Sequence, residues 1–325
     1  MSQHFLLSSK ARTLSLAKAL RLSDDEAFAT FRDIRWADTG GEPYCPKCGC
    51  DDLYTITTRK LWKCKGCASQ FSVTSGTIFA SRKLPIRDIL AAIAIFTNGA
   101  KGYAALQLSR DLDVQYKTAF VLSHKIREAI AAEQERAVID TEAAVDGAYF
   151  GGYVKPANRK VDRIDRRLAM HRTGKRQVVI VARELNGETR THIAKSEAEG
   201  VAFVMSTVAP GVTVHADEAS HWDALEARYL TKRINHSEAY SLDGACTNMA
   251  ESFFSRLRRA EIGTHHHIAG KFLSAYAAEM AWREDHRRTS NGEQYLAMTA
   301  AALAHPVSRQ WKGYWQRNSL NWTQA

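Results

Sequence analysis

The stretch Ala143-Ala-Val-Asp146-Gly-Ala-Tyr-Phe-Gly-Gly152 sets one acid in an otherwise apolar strand that runs into glycines. Downstream, Val212-Thr-Val-His-Ala-Asp217-Glu218 again delivers an acid at the end of a strand. A single acid in such a place commonly does no more than cap the helix that follows. Two are harder to dismiss, because from about residue 140 onward short apolar strands alternate with helices, the pattern of an α/β domain.

A third element is Thr247-Asn-Met-Ala-Glu251-Ser-Phe-Phe-Ser-Arg-Leu-Arg258-Arg. As a helix it puts Asn248, Glu251, Ser255 and Arg258 on one face, at steps of three or four residues. Taken alone, this is also the pattern of an ordinary amphipathic helix with a solvated side. Taken with the two strands, it suggests a chemistry. Cleaving a phosphodiester at neutral pH needs an activated water or 3′-hydroxyl and a stabilised leaving oxyanion. Two Mg²⁺ ions about 3.5–4 Å apart do both, and hard oxygen ligands hold them. Three carboxylates offset much of the metal charge and leave positions open for water and phosphate, whereas histidine or cysteine would favour softer metals. Asp146, Asp217 and Glu251 are therefore the candidate ligands for two Mg²⁺ (or Mn²⁺) ions.

Upstream, Cys45-Pro-Lys-Cys48-Gly and Cys64-Lys-Gly-Cys67 are separated by fifteen residues, a zinc-ribbon spacing. Two residues between thiolates let one tight turn put both sulfurs on one side of a tetrahedron, and Gly49 and Gly66 ease those turns. Four sulfur ligands leave no open position, so the one Zn²⁺ expected here is structural. Cys50 is the spare thiol of the cluster. The intervening DDLYTITTRKLWK alternates like a hairpin strand, and QFSVTSGTIF is expected to continue the small sheet. Arg59, Lys60, Lys63 and Lys65 alternate with Tyr54 and Trp62, as a DNA-facing surface would or as solvated edge guards would.

Between ribbon and α/β region the chain reads as helical. Ile86, Ile89, Leu90, Ile93, Ala94 and Thr97 trace one helix face that ends at Asn98-Gly99. A second helix is expected near Tyr103–Leu112 and a longer one from about Val114 to Ala132. In the last, Ala119, Leu122, Ile126 and Ile130 form the buried stripe, while Gln115, Lys117, Thr118 and Lys125 face away. That polar set suits a helix-turn-helix laid in a major groove, although a plain helical spacer has the same period. The expected organisation is a helical segment over 1–40, the ribbon over 41–80, the helix-turn-helix-like region over 81–138, the catalytic domain over 139–290 and a helical tail over 291–325.

The totals agree with a nucleic-acid partner. The 325 residues carry a formal net charge of +10, which suits a polyanion and, by itself, also suits a basic solvated face. The longest apolar run, Ile89–Phe96, is too short to cross a membrane. The first residues lack a long apolar core and a cleavage site, so export is not expected. Five of the six cysteines fall between positions 45 and 67, which reads as a metal site and not as a disulfide framework.

With these motifs in order, the sequence resembles the ISXO-type insertion-sequence transposases, the group named for insertion sequence fifteen-ninety-five. The resemblance covers about residues 15–290 and rests on CPKCG…CKGC, SVTSGTIFASRKLP, VDGAYFGG, VHADEASHWDAL, INHSEAYS, TNMAESFFSRLRR and the GTHHHIAGKFLSAYAAEMAWREDHRR run. It implies a zinc ribbon joined to an RNase H-like DDE integrase domain. It implies Asp146 as first catalytic acid on the central first strand and Asp217 as second on the fourth strand. The third position varies in this group among Glu, Asn and His. Both Asn248 and Glu251 lie in the matching helix. Glu251 is preferred, because thirty-three residues separate it from Asp217, close to the usual DDE spacing. Arg258 stands where many members carry Lys and keeps a phosphate contact that it can make bidentate.

The resemblance implies an enzyme that binds the terminal inverted repeats of its own element, cuts there and joins the freed 3′-hydroxyl to target DNA. Its partners would be double-stranded DNA at element ends and target, and a second copy of the chain in a homodimer or higher assembly. Its place would be the bacterial cytoplasm, on the nucleoid when bound to DNA. The alternatives are a domesticated, non-cutting zinc-ribbon protein derived from a transposase, and a zinc-ribbon transcription factor with an unrelated α/β partner domain. Between Tyr153 and Arg176, nine Lys/Arg against two Asp read as a solvated loop or a DNA clamp. His265, His266 and His267 cannot all point at one ion from adjacent positions, so packing or phosphate contact is expected. His215 and His236 receive no role. Cys246 reads as a small buried residue, and Trp282, Trp311 and Trp315 as core or interface.

Overall fold

The computed structural model describes residues 5–134, 138–151, 157–164, 176–185, 187–234 and 246–316. In chain order its helices are α1 (Leu16–Leu20), α2 (Asp24–Arg35), α3 (Ile86–Asn98), α4 (Ala105–Asp111), α5 (Tyr116–Gln134), α6 (Gly200–Thr207), α7 (Asn248–Ala260), α8 (Leu273–Asp285) and α9 (Asn291–Ala304). Its strands are β1 (Leu53–Ile56), β2 (Leu61–Cys64), β3 (Gln70–Phe71), β4 (Ala143–Gly151), β5 (Arg176–Glu184), β6 (Thr189–Ala194), β7 (Thr213–Asp217) and β8 (Leu230–Ile234). They form two compact units. One takes the residues up to 133 together with those from 286 on, and the other runs from 134 to 285.

In the first unit, β1, β2 and β3 make an antiparallel three-stranded sheet, with Thr55 opposite Trp62 and Trp62 opposite Phe71. Trp62 is buried, stacked between Phe28 at 5.8 Å and Phe71 at 5.7 Å and edge-on to Trp36 at 5.4 Å. It is a core residue, and the idea that it alternates with basic residues on a DNA-facing surface does not hold for it. Lys60 pairs with Asp25 at 2.5 Å and Lys65 with Asp52 at 2.6 Å, while Arg59 and Lys63 stay exposed.

The expected continuation of the sheet through Ser72–Phe79 is also corrected. Those residues form successive turns. The Ser72 amide donates to the Ser75 hydroxyl, and the Thr77 hydroxyl donates to the Thr74 carbonyl, so the local hydroxyls satisfy the backbone that a sheet ladder would otherwise use. The half-buried Arg35 guanidinium then donates to the carbonyls of Ser72, Val73 and Ser75.

A capping box, Ser23 with Glu26, starts α2, and a second, Ser290 with Glu293, starts α9. The α3 helix is apolar on nearly every side and lies against α1, α2 and α9, so it is the unit's central helix and not a one-faced one. On α5, Ala119, Leu122, Ile126 and Ile130 are buried as expected, but so are Ser123, His124 and Arg127. The C-terminal aromatics account for this: Trp311 stacks on His124 at 4.3 Å, and Trp311, Tyr314 and Trp315 surround Phe120. Gln115 and Lys117 remain exposed, whereas Lys125 is half-buried.

In the second unit, β4 is the centre of a five-stranded sheet in the order β6-β5-β4-β7-β8. The β5 strand runs antiparallel to β4 and β6, while β7 and β8 run parallel to β4. Alternation along the strands divides the core in two. Ala144, Ala148 and Phe150 of β4 pack with α7 and α8 through Phe253, Leu257, Ala277 and Met280. Ala143 and Val145 face Val204 of α6 and Trp222 and Leu225 of the turns after β7. Helices thus cover both faces, and β5 reads as a continuous apolar run, Val178–Ala182, because neither of its faces meets water.

Candidate active site and structural metal centre

The four ribbon sulfurs, Cys45, Cys48, Cys64 and Cys67, all lie within 4.8 Å of one another. The Cys45–Cys67 and Cys48–Cys64 pairs are 3.6 and 3.5 Å apart. A tetrahedron with Zn–S bonds of about 2.3 Å has edges of about 3.8 Å, so the donor set fits a zinc ion. Gly49, at φ +75°, makes the first turn where a side chain would be strained. Cys50 stays outside: its thiol turns toward the Asp52 carbonyl, and its own carbonyl accepts from the Cys45 amide.

The acids come together differently, through sheet register. The parallel ladder between β4 and β7 pairs Ala143 with Val214 and Ala144 with His215. Two residues further on each strand stand Asp146 and Asp217. They occupy equal positions on neighbouring strands, which are about 5 Å apart, and share a face. Beyond that point β7 ends, while β4 continues in contact with β5 alone. Asp217 therefore stands at the carboxyl end of β7, beside Asp146 in the middle of β4, where the two parallel strands part. Asp146 accepts from the Gly147 amide at 2.7 Å and Asp217 from the Ala219 amide at 3.2 Å.

Helix α7 lies over the same face, with Ala250, Phe253 and Leu257 buried and Glu251 and Ser255 half-exposed. Asn248 is its first residue and is exposed. Arg258 is exposed, its guanidinium 5.8 Å from the ring of Phe150, which shares the Asp146 face of β4. Burial pushes the Asp146 carboxyl up to about 7 against the pull of the Gly147 amide, and the charges of Asp217, Glu197 and Glu251 add to the rise. A carboxylate so placed is stabilised by a cation. Among the described residues only the four cysteines bring three or more ligand atoms within 4.8 Å of one another.

Two networks hold α7 in place. Arg183 of β5 donates to the Met249 carbonyl at 2.8 Å and pairs with Glu284 of α8 at 3.0 Å. Glu284 in turn holds Arg256 of α7 at 2.6 Å. The second network is centred on buried His215. Its Nδ1 accepts from the Cys246 amide at 3.1 Å, which leaves the proton on Nε2 to donate to Glu142 at 2.6 Å. His215 thus ties β7 to the residues just before α7, a role that sequence reasoning missed because a histidine in an apolar strand carries no signal of its partners. His265 packs edge-on to Tyr276 at 4.6 Å, and Trp282 is core. His236 and residues 153–156 and 165–175 of the basic insertion lie outside the described residues.

A four-cysteine ribbon together with an RNase H-like domain, Asp146 lying within its first strand and Asp217 at the end of its fourth, places the chain in the class of transposase-type proteins. Two family models carry the assignment further, the transposase zinc-ribbon domain over residues 22–70 and the ISXO2-like transposase domain over residues 140–285. The chain belongs to this family of insertion-sequence transposases. No curated protein matches it. A solved structure, the Mos1 strand transfer complex, aligns with 13% identity over 65% of this chain and 78% of that one, at a TM-score of 0.25. The fold assignment rests on the strand order and the family models. No helix among the described residues is long and apolar enough to cross a membrane.

Proposed function

We propose that this chain is an active transposase that binds the terminal inverted repeats of its own insertion sequence, cleaves a strand at each end and transfers the freed 3′-hydroxyl to target DNA. The observation that carries this reading is the equal register of Asp146 and Asp217 on adjacent parallel strands, under a helix that bears Glu251. Asp146, Asp217 and Glu251 would hold two Mg²⁺ (or Mn²⁺) ions, with Asn248 as the competing third ligand. When bound, such ions activate the attacking oxygen and stabilise the leaving one.

The chain's own residues then have distinct tasks. The apolar layers beneath the sheet keep the Asp146 carboxylate poorly solvated, which strengthens its hold on a cation. Arg258, exposed on the same helix face, offers two parallel N–H donors to a backbone phosphate. The exposed Lys117 of α5 and Gln115 just before it, with Arg59 and Lys63 of the ribbon, supply contacts to DNA outside the cutting centre. Because two element ends must be cut together, the working assembly is a homodimer or larger, on DNA in the bacterial cytoplasm.

The test incubates purified protein with inverted-repeat DNA and Mg²⁺, wild type against Asp146→Ala. The wild type is expected to nick and join strands and the variant only to bind. Wild-type binding without cutting under any divalent metal would leave the non-cutting, domesticated reading in its place.

A further inference from the structure

We propose that Glu197 is a fourth carboxylate of the cutting centre, a ligand for one of its divalent cations that His221 braces from behind. This rests on the reading of Asp146 and Asp217 as metal ligands. Glu197 follows β6 and opens the short turn that leads into α6. Its side chain reaches back across the sheet to Gly147, the residue beside Asp146. A Cβ placed on Gly147 would lie 2.7 Å from Glu197 Cγ and 3.3 Å from its carboxylate carbon. Gly147 sits in regular register opposite Ile180, at ordinary strand dihedrals, so glycine is needed there for space and not for an unusual backbone. The space is filled by Glu197 together with the Ile180 Cδ1 methyl, 3.2 Å from that Cβ position.

The neighbours agree. Glu197 approaches from the α6 layer, since residue 147 points away from the face that bears Asp146. It stands close enough to repel both Asp146 and Asp217. Folding four acids against one another without a counterion is costly, and a surface turn would have spread them. His221, four residues after Asp217, has its Nε2 3.9 Å from Glu197 Oε2. That nitrogen is buried and has no hydrogen-bond partner. A shift of a few tenths of an ångström on cation binding would let it donate to the outer oxygen of Glu197, the usual way a ligating carboxylate is oriented.

The test titrates Mn²⁺ into full-length protein, with the ribbon zinc left in place, and counts free Mn²⁺ by electron paramagnetic resonance. Wild type, Glu197→Gln, Gly147→Ala and Asp146→Asn are compared. Glu197→Gln is expected to weaken at least one Mn²⁺ site by about tenfold or more while the metal-free melting temperature stays level or rises. Gly147→Ala, which pushes Glu197 aside, should do the same to Mn²⁺ binding. Unchanged Mn²⁺ affinity in Glu197→Gln beside a clear loss in Asp146→Asn overturns the fourth ligand alone. Unchanged affinity in Asp146→Asn overturns the underlying site. Weaker binding that comes only with a lower melting temperature gives Glu197 a packing role and also overturns the proposal.

Discussion

Replacing Asp146 by asparagine should stabilise the metal-free protein while abolishing strand cleavage. The usual carboxyl value of 3.8 rises here to about 7. A gap of about 3 units, at about 1.4 kcal/mol each, sets about 4 kcal/mol as the upper limit of what keeping this group ionised costs the fold. Water reaching a half-buried carboxylate lowers that figure, and about 2 kcal/mol is the working expectation. Asparagine keeps the shape and accepts the Gly147 amide bond, but carries no charge.

The sign follows from proton binding. Between pH 3.8 and about 7 the folded state keeps a proton that the unfolded chain has released. The contribution is therefore whole below pH 3.8 and is lost as the pH rises through about 7. Calorimetry of the full chain in metal-free buffer without chelator, which spares the ribbon zinc, should place the variant's transition about 4–8 °C above wild type near pH 8. Most of that gap should close near pH 4.5, at a pH about one unit above the unfolded value. Mg²⁺ should then raise the wild type and leave the variant where it is. A variant that melts at or below wild type near pH 8, with the same response to Mg²⁺, would refute the claim that Asp146 is a strained anion awaiting a cation.

Three further outcomes are expected. Cys64→Ser, or removal of zinc by a chelator, should unfold the ribbon and expose the Trp62–Trp36 cluster, read as a red shift in tryptophan fluorescence. Glu284→Gln should cost about 3–5 kcal/mol in denaturant unfolding, because it strands the buried Arg183 beside a neutral partner. His215→Leu should cost about 1–3 kcal/mol by leaving the Cys246 amide and Glu142 without their partner, while His215→Asn, whose side-chain oxygen replaces Nδ1 as acceptor, should recover a measurable part of both stability and cutting.

What was legible in the sequence was whatever local chemistry repeats. The ribbon spacing is a property of two tight turns, so Cys45, Cys48, Cys64 and Cys67 could be read without a fold. Asp146 and Asp217 stood out because an acid in an apolar strand breaks a pattern of period two. Trp62, Trp311 and the covered face of α5 were not legible in this way, since their partners lie far off in sequence and aromatic residues suit both a core and a DNA surface. Glu197 sits in Ser196-Glu-Ala-Glu199, which is indistinguishable from a solvated turn. Its one trace was Gly147, a glycine where the strand needed none for its dihedrals. The turns over Ser72–Phe79 were misjudged because β-branched residues dominate the stretch, while the serine and threonine hydroxyls between them capture the backbone first.

The way the site is assembled separates its acids into two kinds. Asp146 and Asp217 are placed by backbone register in adjacent strands, which no single side chain controls. Glu251 is placed by a helix whose position depends on Arg183, Glu284, Arg256 and the His215–Cys246 bond. Loosening that network moves Glu251 and leaves Asp146 and Asp217 where they are. A Glu284→Gln chain that still folds should therefore keep part of its Mn²⁺ binding and lose strand cleavage disproportionately. Equal losses in binding and cleavage would mean that α7 is held by its apolar face alone, through Phe253 and Leu257, and that the buried ions serve stability only.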